Sequence, residues 1–559
     1  MAFSAPQAFA TAGVLDEGGE RLELVSLPRS FEPLGGHLRL EMASSLAGVA
    51  FEGLEVLEGY EHESIEYTVS HFLPNLEILR VIQEFGLDEP ELRDRLDARV
   101  RASMERLGQG QNYDGGWGWY TGVNSESNPV ISAYVLMGLV HAEQAGYQVN
   151  DYIFENAVQY LLNYLVNNLP DAEHPWLYDQ AALIHFVLSQ ADFPVLDLAS
   201  DLLDQRDQLS PWGQALIGLV MAQNAPDARA DALFSNLQTS AVRSATGARW
   251  ELDQAGTWQT LSSEVFNQAV VVYALAQRDP ASPLVTDGMR YLMAYRDASG
   301  GWQSSYATSW ALLAIAEVMR GTAELGGEFA FSASLNENPF ATGQAGGAEQ
   351  FTEVVAETSL ESLLPDLPNA LTIQREAGTG RLYYRAILDV VQPVESVEAL
   401  NRGLGITRAY YPAGLDCASQ DCRAVDSAKV GDLVTVRLTL NIPNAVHYLR
   451  LEDYIPAGTE VLDLSLKTSQ IGEAQQEVSY DPLDPLARGW GWWYFGTNQV
   501  YDDHIAWLAE YLPAGTYELT YTLVVLQPGT YQVIPAQARQ MYFPEVQGIS
   551  QGSLFEVVP

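Results

Sequence analysis

Over the first 46 residues apolar and polar side chains alternate, as in Arg21-Leu-Glu-Leu-Val25 and His37-Leu-Arg-Leu-Glu-Met42. A period of two puts successive side chains on opposite faces of an extended backbone, so these runs predict half-buried strands, with Pro28, Pro33 and Gly35-Gly36 as turns between them. Two strands cannot bury a face by themselves and require partners from elsewhere in the chain. From about residue 47 to 322 the period lengthens. Segments 64–85, 89–107, 128–146, 151–167, 178–190, 194–204, 211–223, 227–238, 263–276, 283–295 and 306–319 carry apolar residues three and four positions apart, which predicts amphipathic helices. Asn128-Pro129, Ser210-Pro211 and Asp227 suit N-caps and first turns. Short connections make consecutive helices antiparallel neighbours, and about six such pairs predict an α/α toroid, an inner ring of helices covered by an outer one. Asp114-Gly-Gly-Trp-Gly-Trp119 and Ala298-Ser-Gly-Gly-Trp302 precede two of these helices as a weak repeat, in which glycines turn the chain and a tryptophan plugs the gap between hairpins. Its irregular spacing argues against an open solenoid. Alternation by two returns over 323–394, as in Glu328-Phe-Ala-Phe-Ser-Ala-Ser-Leu335, and again over 395–559, where strands separated by Pro-Ala-Gly turns predict an antiparallel β-sandwich.

A chain of 559 residues exceeds one core and divides into about three or four domains, and 47% hydrophobic residues suffice to fill them. The balance of 29 basic against 72 acidic residues, net −43, excludes nucleic acid and anionic membranes as natural partners and describes a strongly solvated acidic surface. The two cysteines, Cys417 and Cys422, could close a local disulfide in an exported protein or remain free thiols. No histidine set with zinc spacing accompanies them, so neither a metal nor another cofactor is expected. Residues 1–10 lack the features of a signal peptide, and no apolar run reaches the roughly 18 residues of a membrane span.

One stretch carries a more specific signal, Tyr60-Glu-His-Glu-Ser-Ile-Glu-Tyr-Thr-Val-Ser-His-Phe-Leu-Pro74. It resembles the thioester segment of bacterial α2-macroglobulins and their complement relatives. In that family a cysteine sulfur is acylated by the side-chain carbonyl of a glutamine three residues later, giving an electrophile that captures nucleophiles. On that pattern Ser64 stands in place of the cysteine, Glu66 matches the glutamate and Tyr67 stands in place of the glutamine. A thioester needs a thiolate and a carboxamide. With both replaced, the covalent warhead cannot form.

The resemblance implies a multidomain α and β architecture in which the α/α toroid is inserted in a β-sandwich. Residues 1–46 and 323–394 would be two parts of one CUB-like sandwich, 47–322 the toroid and 395–559 a C-terminal macroglobulin-like sandwich, where Asp453-Tyr-Ile-Pro-Ala-Gly458 and Met541-Tyr-Phe-Pro-Glu-Val546 fit that domain. It further implies the C-terminal portion of a non-enzymatic, extracytoplasmic protein that contributes noncovalently to trapping or inhibiting peptidases, its partners being those peptidases and upstream macroglobulin domains.

Catalytic alternatives rest on few residues. Ser64 could act as a nucleophile only with a base, and His62, two positions away, is poorly placed to face it; capping or packing is the plainer role. The Tyr67 hydroxyl needs a partner if buried. Gln111-Asn-Tyr-Asp-Gly-Gly-Trp117 resembles the Gln-Trp repeat of triterpene cyclases, but the acidic motif that protonates an alkene in those enzymes is missing. A carbohydrate-active toroid would need two facing carboxylates and aromatic platforms. Asp114, Glu126 and Glu264 with Trp117, Trp119, Trp250, Trp258 and Trp302 are the available groups, and core plugs and solvated carboxylates the alternative. Trp490, Trp492 and Trp493, in the most aromatic run of the chain, form either a binding surface or the cover of a core or interdomain face.

Overall fold

The computed structural model of the chain describes residues 5–29, 33–58, 64–86, 90–120, 126–168, 174–244, 246–252, 257–297, 300–322, 326–347, 351–414, 423–462, 478–481, 494–495, 499–541, 543 and 546–559. Three strands come first, β1 (Ala5–Leu15), β2 (Gly19–Val25) and β3 (Gly35–Ala43). The helical region follows as α1 (Leu46–Glu58), α2 (Ile65–Glu84), α3 (Pro90–Gly110), α4 (Pro129–Gln144), α5 (Asp151–Asn168), α6 (Pro175–Gln190), α7 (Leu196–Asp204), α8 (Pro211–Asn224), α9 (Ala228–Ser240), a small hairpin β4 (Val242–Ser244) and β5 (Gly247–Arg249), then α10 (Thr257–Thr260), α11 (Glu264–Arg278), α12 (Pro283–Ala294) and α13 (Ser305–Thr322). The strands β6 (Ala330–Leu335), β7 (Asn338–Gln344), β8 (Glu353–Ser359), β9 (Asn369–Arg375) and β10 (Leu382–Gln392) come next.

The helices close into a double ring. Helices α2, α4, α6, α8, α11 and α13 touch one another in succession, and α13 returns to α2. Members of this inner circle are buried on every side; α4 is buried without a break from Val130 to Ala142. Outer helices bury one stripe each, as α5 does with Ala157, Val158, Leu161 and Leu165. Four of the inner helices start on hydrogen-bonded caps, whereas His174 ahead of α6 makes no side-chain cap bond. Ser64, Asn128, Ser210 and Ser263 each accept a backbone N–H of the first turn.

The glycine–tryptophan repeat is a real structural unit. The Trp117 indole N–H donates to Leu107 O of α3 at 2.7 Å, and that of Trp302 to Leu292 O of α12 at 2.8 Å, so each ring satisfies a carbonyl near the end of an outer helix. The backbone N–H of Trp117 reaches Ser132 Oγ and that of Trp302 reaches Thr308 Oγ1, tying the same residues to the following inner helix. Asp114 and Asp297 receive Gly116 N and Gly301 N in the matching turns. Gly115 and Gly300 there adopt φ of 92° and 94°, a region open to glycine. Trp250 repeats the indole bond on Leu237 O of α9.

Helix α1 escaped the periodicity analysis. It holds Gly48 and Gly53, weak helix formers, and eight of its residues are buried. A Cβ at Gly53 would lie 3.0 Å from Leu312 Cδ2 and 3.3 Å from Trp302 Cζ3, so the close approach of α1 to α13 fixes that glycine. The short elements α10, β4 and β5 also lack a sequence signature.

The ring is spliced between strands that pair across it. Strand β10 runs antiparallel between β1 and β3, and β3 also pairs with β8. A second sheet has the order β2-β9-β6-β7. Leu38, Leu40 and Met42 of β3 share one core with Phe331, Leu371, Ile373 and Tyr384 from both sheets. The opposite faces turn to the ring, so Tyr383 of β10 belongs to the helical core. This explains why β10 reads as a nearly unbroken apolar run.

After Gln392 the chain builds a third sandwich-like unit. Strand Leu433–Ile442 pairs with Gly405–Pro412 and Gly515–Val525, while Val446–Tyr454 pairs with His504–Leu512 and Gln537–Gln540. One core joins both sheets through Val436, Leu438, Leu451, Ile505, Leu519 and Tyr521. Replacing Trp302 by Phe keeps most of the packing but leaves Leu292 O without its donor. We expect a loss of about 1–3 kcal/mol in chemical denaturation for W302F and about 3–5 kcal/mol for W302A.

Candidate functional site

Ser64, Glu66 and Tyr67, the residues that the sequence resemblance aligns with the thioester pattern, occupy the first turn of α2. Ser64 is its N-cap, with φ −76° and ψ 157°; its Oγ accepts Tyr67 N at 3.0 Å, and its carbonyl accepts Thr68 Oγ1 at 3.0 Å. The Ser64 side chain is thus committed to the helix end, and it is buried. His62 lies outside the described residues. Turning 100° per residue, the helix sends Glu66 and Tyr67 in different directions. The Tyr67 hydroxyl donates to Leu57 O of α1 at 2.9 Å, and its ring stacks on His71 with centroids 5.3 Å apart. Burial raises the Tyr67 hydroxyl and lowers the His71 imidazole, so both are neutral at pH 7.

Glu66 enters the middle of the ring. It is completely buried and accepts Ser70 Oγ at 2.6 Å and Ser305 Oγ at 2.9 and 3.1 Å. Ser70 Oγ lies 3.0 Å from Tyr134 Oη, which donates to Ser309 Oγ at 2.6 Å. Hydroxyls from α2, α4 and α13 therefore enclose one carboxyl group. Burial pushes it up to about 7, against the opposing pull of the two serine hydroxyls.

The corner is covered from the C-terminal unit. Ile65 N donates to Trp119 O at 2.8 Å, and the Trp119 ring meets Tyr448 with centroids 5.1 Å apart. Tyr448 has φ 52°, an uncommon left-handed setting for an aromatic residue, and its carbonyl accepts Met541 N at 2.9 Å. Phe543 is buried in the helical core, and Met541 and Val546 pack against it. Ser70 falls within the motif stretch, but Tyr134, Ser305, Ser309 and Tyr448 are not marked by it; Ser305 is 239 residues from Glu66.

At the opposite end of the ring, the last turns of α2, α4, α6, α11 and α13 surround a cavity of about 150 Å3. Glu77 there meets His141 and Arg80 at 2.7 Å and Arg320 at 3.3 Å. Burial opposes its ionisation, but these partners prevail and bring the carboxyl down to about 2.

Trp117, Trp250 and Trp302 are buried core residues with their indole N–H groups engaged, which removes them as sugar platforms. Asp114 is exposed and bound to Ser127 and Gly116, and Glu126 and Glu264 are exposed as well. The Trp258 side chain, Cys417, Cys422, Trp490, Trp492 and Trp493 lie outside the described residues. At the end of that aromatic run, Phe495 packs into the C-terminal core against Tyr517.

The family model described as the bacterial alpha-2-macroglobulin MG10 domain matches residues 403–545. An alpha-2-macroglobulin homolog of Nostoc sp. is 24% identical over 539 residues, 92% of this chain and 26% of that protein. The chain is a relative of the bacterial α2-macroglobulins. A Thermotoga maritima alpha-2-macroglobulin is 24% identical over 285 residues, 50% of this chain and 15% of its own length, so the matches span 26% and 15% of these two curated relatives. Its fold matches the crystal structure of native Escherichia coli alpha-2-macroglobulin from domain MG7 to the C-terminus, with TM-score 0.61, 18% identity and coverage of 99% of this chain and 82% of that one. Salmonella alpha-2-macroglobulin reacted with methylamine gives TM-score 0.60 at 18% identity, covering 99% and 34%. The α2-macroglobulin-like chain thus has the mixed helix and sheet fold of the C-terminal region of that family.

Glu66 sets a testable pH dependence. Its folded pKa lies above the ordinary 4.5, so its contribution is full below 4.5 and is lost as pH rises through about 7. Relative to the unaltered chain, E66Q should be neutral or mildly destabilised at pH 4.5 and gain up to about 3 kcal/mol by pH 8, read as the difference between paired denaturation curves. A difference that does not change with pH contradicts the assignment.

Proposed function

We propose that this chain is the thioester-free C-terminal portion of a macroglobulin-like protein, contributing noncovalently to peptidase trapping or inhibition in the cell envelope. The observation that carries this reading is the chemistry of the corner: an N-cap hydroxyl at residue 64 and a phenol bound to Leu57 O at residue 67, where a thiol and a carboxamide would be needed. In this reading residues 47–322 correspond to the thioester-domain toroid, the sheets formed by 1–46 and 323–394 to a CUB-like sandwich and 395–559 to the C-terminal macroglobulin domain. Upstream macroglobulin domains would supply the bait for a peptidase. The ring would supply shape and contact surface, and the Trp119–Tyr448 contact would join it to the C-terminal domain without any reactive group to protect. Such a protein binds its target without turnover, so it is not an enzyme.

Two measurements test this. Methylamine should leave the intact mass unchanged, and heating should cause no chain scission near residue 64. With endopeptidases added to the full-length protein, any complex should dissociate in denaturing detergent. An adduct at residue 64, or a complex that survives denaturation, refutes a noncovalent role.

A further inference from the structure

The ring meets the first sandwich around a single guanidinium. Arg296 follows α12, and its side chain has no exposed area. It donates through Nη2 to Glu41 Oε2 of β3 at 2.7 Å and through Nη1 to Glu353 Oε1 of β8 at 3.0 Å. The Glu52 Oε2 atom of α1 lies 3.0 Å from Nη2, at ion-pair distance but without the alignment of a hydrogen bond. Oxygens of all three carboxylates lie within 4.8 Å of one another, and the cation such convergence requires is this arginine.

The neighbouring charges leave carboxylates in excess. Arg385 of β10 donates to Arg296 O and to Asp297 O, and its Nη1 is 3.8 Å from Glu41 Oε2. Arg39 of β3 bonds Glu41 at 2.8 Å but is shared with Glu357 of β8 at 3.2 Å. With Arg39 assigned to Glu357, Arg296 and Arg385 face Glu41, Glu353 and Glu52 together with the Asp297 carboxylate, which accepts Gly301 N and Gln303 N and adds to the negative field at Arg385, so carboxylates outnumber guanidiniums. Glu52 is the odd one, because Glu41 and Glu353 hold the aligned hydrogen bonds. Its side chain is 28% exposed, which gives it a path for proton exchange that Glu41, at 5%, lacks.

We propose that Arg296, Glu41, Glu353 and Glu52 form a proton-operated latch between ring and sandwich, seated while Glu52 holds a proton and loosened when it ionises. The electrostatics agree. Burial raises the Glu52 carboxyl to about 7, Arg296 and Arg39 pulling it down and Glu353 and Glu41 pushing it up. A folded pKa above the unfolded one favours the protonated, seated state; that contribution is complete below 4.5 and is lost as pH rises through about 7. The elements that would part are α1 with the α12–α13 turn on one side, and β3, β8 and β10 on the other. The latch does not depend on how the thioester positions are read.

Hydrogen exchange on the intact chain tests it, with rates corrected for the intrinsic effect of pH. Between pH 6 and 8.5 the amides of β8 and α1 should become about tenfold less protected. E52Q, which cannot ionise, should keep the pH 6 protection at both values. Glu66 and Asp179 in the ring core also have carboxyls raised to about 7, so E66Q serves as a control and should retain the full change in β8. Protection of β8 that ignores pH in the unaltered chain overturns the latch. So does an E52Q profile that follows the unaltered chain, or an E66Q profile that has lost the change.

Discussion

A helix such as α4, buried from Val130 to Ala142, has no face that can be shown to water. Such a helix is stable only with neighbours on every side. Six helices of this kind cannot be arranged in a row without exposing the two at the ends, and closing the row into a circle removes both ends. An outer layer of one-sided helices then covers the circle. The turns that join outer to inner helices must be dense and fully hydrogen-bonded. Trp117 and Trp302 meet that need by filling space with the ring while their N–H groups satisfy helix-end carbonyls.

The same constraint extends to the sandwich. Strand β10 is central in its sheet and buried on both faces, one against the second sheet and the other against the ring. The ring therefore completes the sheet it interrupts. Among the described residues the polar contacts across that junction gather around Arg296, whose guanidinium meets Glu41 and Glu353 and whose carbonyl accepts from Arg385. Burial makes the balance of charges there matter more than the number of contacts, because an unmatched carboxylate has no water to turn to.

At the start of α2, the segment that resembles the family's thioester stretch is held by ordinary interactions. Ser64 finishes a helix, Tyr67 braces α2 against α1, and Glu66 remains as a hydroxyl-bound acid in the ring core. The C-terminal unit packs against this corner of the ring through Tyr448, which meets Trp119.

The sequence by itself determined the element types, because periods of two and of three to four are written in the order of side chains. It also determined which groups stand at residues 64 and 67, a hydroxyl and a phenol, a pair that cannot form a thioester whatever surrounds it. Helix α1 was not read from the sequence, where Gly48 and Gly53 weaken the helical signal. Only the tertiary structure decided which hydroxyls reach Glu66, which carboxylates gather around Arg296 and which tyrosine covers Trp119. Those partners are brought together from distant positions by ring closure and sheet pairing, and desolvation, which sets the properties of Glu66 and Glu52, depends on everything packed around them and not on the residues beside them in the chain.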